Sequence, residues 1–277
     1  MSKLDSISAF CNRLGETLAG IIKIALLSRC VRTTHRDDGA IVVLGNGPSL
    51  NQTLAESADF LRSHKKLAVN FAATTPQFFD LRPEYYVLAD PHFFNSDAPN
   101  VRTLWQNLAR ADWQIVLYVP RSVRRLPFGC NNPNIIVERY NLTPVEGFRA
   151  FRHAAYRARL GMPRPRNVLI PSLMLAIAAG FKEIYIAGAD HSWMKTIAVD
   201  DDNNVVSVQP HFYTDSQGEQ QRIRTEYLNY PLHKIIHSFY IAFRSYFIIR
   251  DYADARGVTI WNITPGSFID AFPRRKV

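Results

Sequence analysis

Apolar residues near the start of the chain recur at alternating steps of three and four: Leu4, Ile7, Cys11, Leu14, Leu18, Ile21 and Ala25. Lys3, Asp5, Asn12, Arg13 and Glu16 lie off that line, so residues 1–30 are expected to form one amphipathic helix. The pattern then changes. Residues 40–44 form an unbroken apolar run, which suits a parallel strand buried on both faces. Shorter or weaker runs at 67–71, 85–89, 114–119, 134–138, 183–187 and 259–261 predict further strands. Helices are expected at 51–63, at 170–179 before Gly180, and at 231–255. Strands alternating with helices imply an α/β, Rossmann-like chain with a mainly parallel, doubly wound sheet. Residues 191–230 are polar and turn-rich, and a stretch of that length is expected to be a mobile lid. The domain organisation is then a helical segment, 1–36, and a nucleotide-binding catalytic domain, 37–277.

Composition narrows the classes. Apolar residues at 47% and charged residues at 21% are close to globular averages and argue against disorder. Cys11, Cys30 and Cys130 are odd in number and widely spaced with no CxxC, which fits a reducing compartment and argues against a zinc site. Lys23 and Arg29 interrupt the longest apolar run, so no bilayer-spanning segment is predicted. A cytoplasmic location follows as the expectation. The excess of 33 Lys and Arg over 24 Asp and Glu, a formal charge of +9, asks for an anionic partner. The helical stripe of residues 1–30 is followed by Arg29, Arg32 and Arg36. Such a helix suits an anionic membrane surface, which would make the protein peripheral at the inner face of the cell membrane. The same stripe suits packing on the body or on a second subunit.

Ligands of open parallel sheets bind beyond the carboxyl ends of the strands. Here those ends carry Gly45-Asn46-Gly47-Pro48-Ser49, then Asn70, then Asp90-Pro91-His92, and later Gly188-Ala189-Asp190-His191. Gly45 and Gly47 allow a tight turn and close approach of a ligand. Ser49 is placed to cap the next helix, whose N-terminus favours a phosphate. The turn is neither a full GxGxxG nor a Walker A loop. Asn70 and Asp90 suit either a ribose or base, or the capping of a neighbouring helix. His211, in the lid, has the ordinary pKa range of a general base; His191 and His92 are its rivals. His233 and His237 are spaced i, i+4 but lack a third metal ligand. Asp200-Asp201-Asp202 contains a DxD, which reads either as a metal-diphosphate site or as an exposed turn.

The blocks Gly45-Asn46-Gly47-Pro48-Ser49-Leu50, Val69-Asn70 and Asp90-Pro91-His92-Phe93-Phe94 resemble the bacterial sialyltransferases of glycosyltransferase family 42. So do the run from Gly180 through Glu183-Ile184-Tyr185-Ile186-Ala187-Gly188-Ala189-Asp190, and the ending Gly257-Val258-Thr259-Ile260-Trp261-Asn262 with Pro265-Gly266-Ser267. The blocks keep the family's order over roughly residues 40–272. The N-terminal helix lies outside the resemblance, and the arginine-rich middle matches poorly. The resemblance implies a nucleotide-sugar donor contacted by Asn46 and Asn70, with His211 as catalytic base and Tyr213 on the donor phosphate. Asp90 stands where the family carries an Asn. Asn167 and Ser172 are further candidates for donor phosphate or sugar, and Asp190 for orienting the acceptor or lid.

Residues 82–91, including Pro83-Glu84-Tyr85 and Asp90-Pro91, also resemble proteins related to the archaeal pterin pyrophosphokinase. That likeness implies a Mg²⁺-dependent diphosphate transfer. A non-enzymatic nucleotide- or nucleic-acid-binding module is the third alternative; the arginines are not interleaved with aromatics as in single-strand binders. The expectation carried forward is an inverting, metal-independent glycosyltransferase. It would need no cofactor, take a nucleotide-sugar donor and a cell-surface glycan or glycolipid acceptor, and bind no nucleic acid.

Overall fold

The computed structural model describes residues 3–31, 35–206 and 230–277. Helix α1 (Lys3–Leu27) precedes strand β1 (Ala40–Leu44), followed by α2 (Ser49–Glu56), α3 (Ala58–Ser63) and β2 (Lys65–Val69). Next come α4 (Gln77–Leu81), β3 (Tyr85–Val87), α5 (His92–Asn95), α6 (Pro99–Ala109), β4 (Ile115–Pro120) and β5 (Ile135–Tyr140). Helices α7 (Arg149–Arg157) and α8 (Leu169–Ala179) lead to β6 (Glu183–Ala187). A small hairpin follows, β7 (Ala198–Val199) with β8 (Val205–Val206), then α9 (Leu232–Asp254) and β9 (Thr259–Asn262).

The main sheet has the order β5-β4-β3-β2-β1-β6-β9, and every pairing in it is parallel. Successive strand residues face opposite layers. Ile41 and Val43 join Leu67, Val87, Ile184 and Ile186 in a core covered by α7, α8 and α9. Val42 and Leu44 face the other layer with Leu50, Leu61 and Tyr185. Further along that layer Tyr86, Leu88 and Leu117 meet Val101, Leu104, Trp105 and Leu108 of α6. Both faces are therefore buried, as the apolar strand runs require. The fold is a Rossmann-like α/β sandwich.

Several boundaries differ from the sequence expectation. The helix over 51–63 is two helices, because Ser57 leaves helical geometry (φ −127°, ψ 33°). The second strand starts at Lys65 and ends at Val69, because Asn70 turns into the left-handed region (φ 49°) and opens a short 3₁₀ turn. Helix α8 ends where expected, on Gly180 at φ 114°.

Helix α1 packs on the body through Thr17, Gly20 and Ile24, with the Phe10 ring against Phe148, while Leu14, Leu18 and Ile21 of its apolar stripe stay exposed. Gly20 is buried near Phe151, and the Phe148 amide donates to the Thr17 hydroxyl at 3.0 Å. Arg244 of α9 donates to both carboxylate oxygens of Glu16, at 2.7 and 3.0 Å. Arg244 also lies 3.5 Å from Glu146, which pairs with Arg164 at 2.6 Å. After α1 the chain is fastened to the body: the Ser28 hydroxyl donates to Thr143 (2.8 Å), Asn141 donates to the Arg29 carbonyl (2.8 Å), and the Asp37 amide donates to Ala179.

Candidate functional site

The strand order places the topological switch between β1 and β6, since β2 to β5 run outward on one side and β6 and β9 on the other. A parallel sheet opens its ligand crevice at the carboxyl ends beside that switch. Three turns meet there. The β1 turn rests on the β6 turn through backbone bonds from Gly45 to Ala187 (2.8 Å) and from Gly47 to Gly188 (2.7 Å). A Cβ on Gly45 would sit 2.4 Å from the Gly188 carbonyl oxygen, and one on Gly47 would sit 2.0 Å from Asp190 Oδ2. Gly188 itself is left-handed (φ 64°). The glycines thus let two protein turns touch, a nearer reason for them than the ligand approach expected from sequence.

Ser49 differs from expectation in the same way. It is the first residue of α2 and makes no cap; its hydroxyl donates to Asp190 Oδ2 at 2.7 Å. Such a bond to a carboxylate is worth roughly 1.5–3 kcal/mol. The third turn, after β9, grips the β6 turn from its other side. The Ala189 amide donates to the Thr264 hydroxyl (3.1 Å), Ser267 donates to the Ala189 carbonyl (2.6 Å), and the Phe268 amide donates to the Asp190 carbonyl (2.8 Å). Asp190 is accordingly a tie between turns.

Two side chains at this edge have unspent capacity. Asn46 donates through Nδ2 to the Val69 carbonyl at 3.3 Å, while its Oδ1 is buried without a partner among the described residues. Asn70 Oδ1, at the end of the neighbouring strand, is likewise buried and unpartnered. A buried amide oxygen without a donor costs about 1–3 kcal/mol unless something supplies one. Asp90 is exposed at the end of β3, where its carboxylate accepts the His92 amide at 2.8 Å. One strand further, Arg121, Arg124 and Arg125 are exposed without an ion-pair partner among the described residues, and Arg139 holds their loop by donating to the Val123 carbonyl at 3.0 Å.

Other predicted residues are committed to the fold. Asn167 Oδ1 accepts the amides of Leu169 and Ile170 (3.0 and 3.3 Å), so it caps the start of α8, and it also accepts the Tyr246 hydroxyl at 3.1 Å. Ser172 is fully buried and donates to the Val168 carbonyl at 2.8 Å. His191 is buried, left-handed (φ 51°), and 2.6 Å from the Tyr246 hydroxyl through Nε2. Burial pushes its pKa down to about 3. A base so weak, with Nε2 engaged, is poorly matched to taking an acceptor proton near neutrality. His191 is therefore bonded into the framework through Tyr246. His92 remains partly open to solvent beside Phe71.

No family model matches the chain, and no curated protein matches it. Among solved structures it is similar to one described as the MAf glycosyltransferase from Magnetospirillum magneticum AMB-1. The likeness is one of fold. The TM-score is 0.50 and the identity 11%, over 94% of this chain and 38% of that one. This chain thus spans well under half the length of that neighbour. The resemblances to family 42 sialyltransferases and to pterin pyrophosphokinases rest on the quoted sequence blocks.

His211 and Tyr213 lie outside the described residues. Asp200 closes the β7–β8 hairpin, accepting the amides of Asn204 (2.7 Å) and Asp202 (3.1 Å), so the DxD is an exposed turn. His233 and His237 are exposed on α9, and no three metal-ligating side chains come together among the described residues. A cavity of about 440 Å³ between Lys66, Arg82, Glu84 and Trp113 sits at the amino ends of β2 to β4, opposite the three turns. Sequence reasoning missed Tyr246, whose only signal was its place in the apolar pattern of α9. It also missed Thr264 and Ser267 as supports, although their turn was visible.

Proposed function

We propose that this chain is a glycosyltransferase that binds a nucleotide-activated sugar across the carboxyl ends of β1 and β2. It transfers the sugar to a cell-surface glycan or glycolipid. The observation that carries this reading is the pair of buried, unpartnered amide oxygens on Asn46 and Asn70, at adjacent strand ends beside the switch point. The hydroxyls of a ribose or the amino group of a base supply the donors those oxygens lack. A fold like that of a protein described as a glycosyltransferase supports the reading. So does the resemblance of the same turns to family 42 sialyltransferases, which makes CMP-sugars the first donors to test.

In the reaction, an acceptor hydroxyl oxygen attacks the anomeric carbon. The bond from that carbon to the donor phosphate oxygen breaks, and its electron pair leaves with the nucleotide. His211 takes the acceptor proton as the new bond forms, inverting the anomeric centre. Tyr213 and the Arg121–Arg125 loop offset phosphate charge in place of a metal. Asp90 faces the donor from the third strand end.

The test is nucleotide release from CMP-, UDP- and GDP-sugars offered separately, with and without EDTA. The expected outcome is slow hydrolysis of one donor at a rate that EDTA leaves unchanged. Release of AMP from ATP with Mg²⁺, and of nothing from the sugars, replaces this reading with diphosphate transfer.

A further inference from the structure

Ile7, Phe10, Leu14, Leu18, Ile21, Ile22 and Leu26 of α1 are between 41 and 69% exposed. At about 100° per residue they cover an arc of roughly 160°, running from Phe10 round to Leu26. Thr17, Gly20 and Ile24, which meet the body, lie on another side of the helix. The Glu16–Arg244 pair fixes that orientation. On α9, Tyr240 and Phe247 stand four residues before and three after Arg244, so they share its face. Both are exposed, as is Ile236 one turn earlier. Exposed apolar side chains therefore stand on both helices of the Glu16–Arg244 clamp.

We infer that this two-helix surface docks on an anionic lipid bilayer. The charges beside it favour that occupant. Glu16 is taken by Arg244, and Asp251 by Arg149 and Arg152, while Asp5 and Asp254 stand at the far ends of the two helices. Arg29, just past the end of α1, is exposed, as is Lys234, and Arg250 lies over the exposed ring of Phe247, 5.3 Å to the ring centre. The breadth of the arc also favours a surface over a second helix, because a two-helix seam uses a narrower stripe. No helix among the described residues is long and apolar enough to cross a membrane, so the helix lies in the interface plane. Docking does not depend on what the crevice binds.

The test uses the full chain with sucrose-loaded vesicles of phosphatidylcholine, with or without about one-third phosphatidylglycerol. The expected result is co-sedimentation with the anionic vesicles and much less with the neutral ones. Leu14→Ser combined with Ile21→Ser, at exposed positions, should weaken binding at least about tenfold while leaving the thermal unfolding midpoint unchanged. Absence of binding to anionic vesicles overturns the inference. So does a solution mass of twice the chain that halves in the double variant, because a second copy would then be what covers the face. Donor hydrolysis measured on the same soluble protein reports separately on the crevice.

Discussion

Ser49 and Asp190 are 141 residues apart in sequence, and their side chains meet at 2.7 Å. The bond joins the turn after β1 to the turn after β6, on the two sides of the crevice. Asp190→Ala leaves the Ser49 hydroxyl and amide without that acceptor and should cost about 1–3 kcal/mol of stability. Urea denaturation measures it. Ser49→Ala with Asp190→Ala should cost less than the sum of the single changes, as expected for one shared interaction.

The glycine contact predicts a comparable effect from a smaller change. Gly45→Ala drives a methyl group against the Gly188 carbonyl oxygen and should destabilise by about 1–3 kcal/mol. Gly15→Ala, in α1 with nothing within 4 Å of the new methyl group, should instead stabilise by roughly 0.5–1 kcal/mol. Thermal melts of the two variants should move in opposite directions.

Asn70 separates binding from folding. Its left-handed backbone is one that glycine adopts freely, so Asn70→Gly removes the amide without straining the chain. Stability should stay within about 1 kcal/mol, while KM for the donor should rise about tenfold, as for one lost hydrogen-bonding group. An unchanged KM would remove Asn70 from the donor site. His211→Ala should abolish transfer and leave donor affinity intact, measured by calorimetric titration.

The pH dependence follows from His191. Burial holds its pKa at about 3, below the ordinary 6.5. The unfolded chain therefore takes up a proton between about 6.5 and 3 that the folded chain refuses. Its contribution to stability is complete above 6.5 and is lost as the pH falls through that window. The His191→Asn variant should be less stable at pH 7 but show a shallower fall in melting temperature from pH 7 to 4.

What was legible in the sequence followed from burial. Residues 40–44 and 183–187 read as strands because both faces of those strands are covered, and they end where predicted. Residues 99–109 escaped notice although Val101, Leu104, Trp105 and Leu108 keep helical spacing behind Pro99. Lys66 hid the start of β2. Its ammonium is buried because it donates to the His64 carbonyl at 2.7 Å and lies 3.7 Å from Glu84, contacts that no local pattern reveals. At the site, the strand-end glycines, Asn46 and Asn70 stood out. The Ser49–Asp190, Asn167–Tyr246 and Asn167–His191 contacts did not, because their partners lie 141, 79 and 24 residues apart in sequence. The apolar stripe of α1 was visible, but which of its sides meets the body was settled by Glu16 and Arg244, 228 residues apart.

The order of the strands also bears on how the chain is made. β1 lies between β2 and β6, yet β6 is completed only at Ala187, long after Leu44. A nascent chain that has paired β1 through β5 holds five of the seven strands, and β1, later an interior strand, is for that interval an open edge of five apolar residues. Arrest of synthesis between β5 and β6 should therefore yield an aggregation-prone fragment, and the ribosome's pace through α7 and α8 sets how long that edge is exposed.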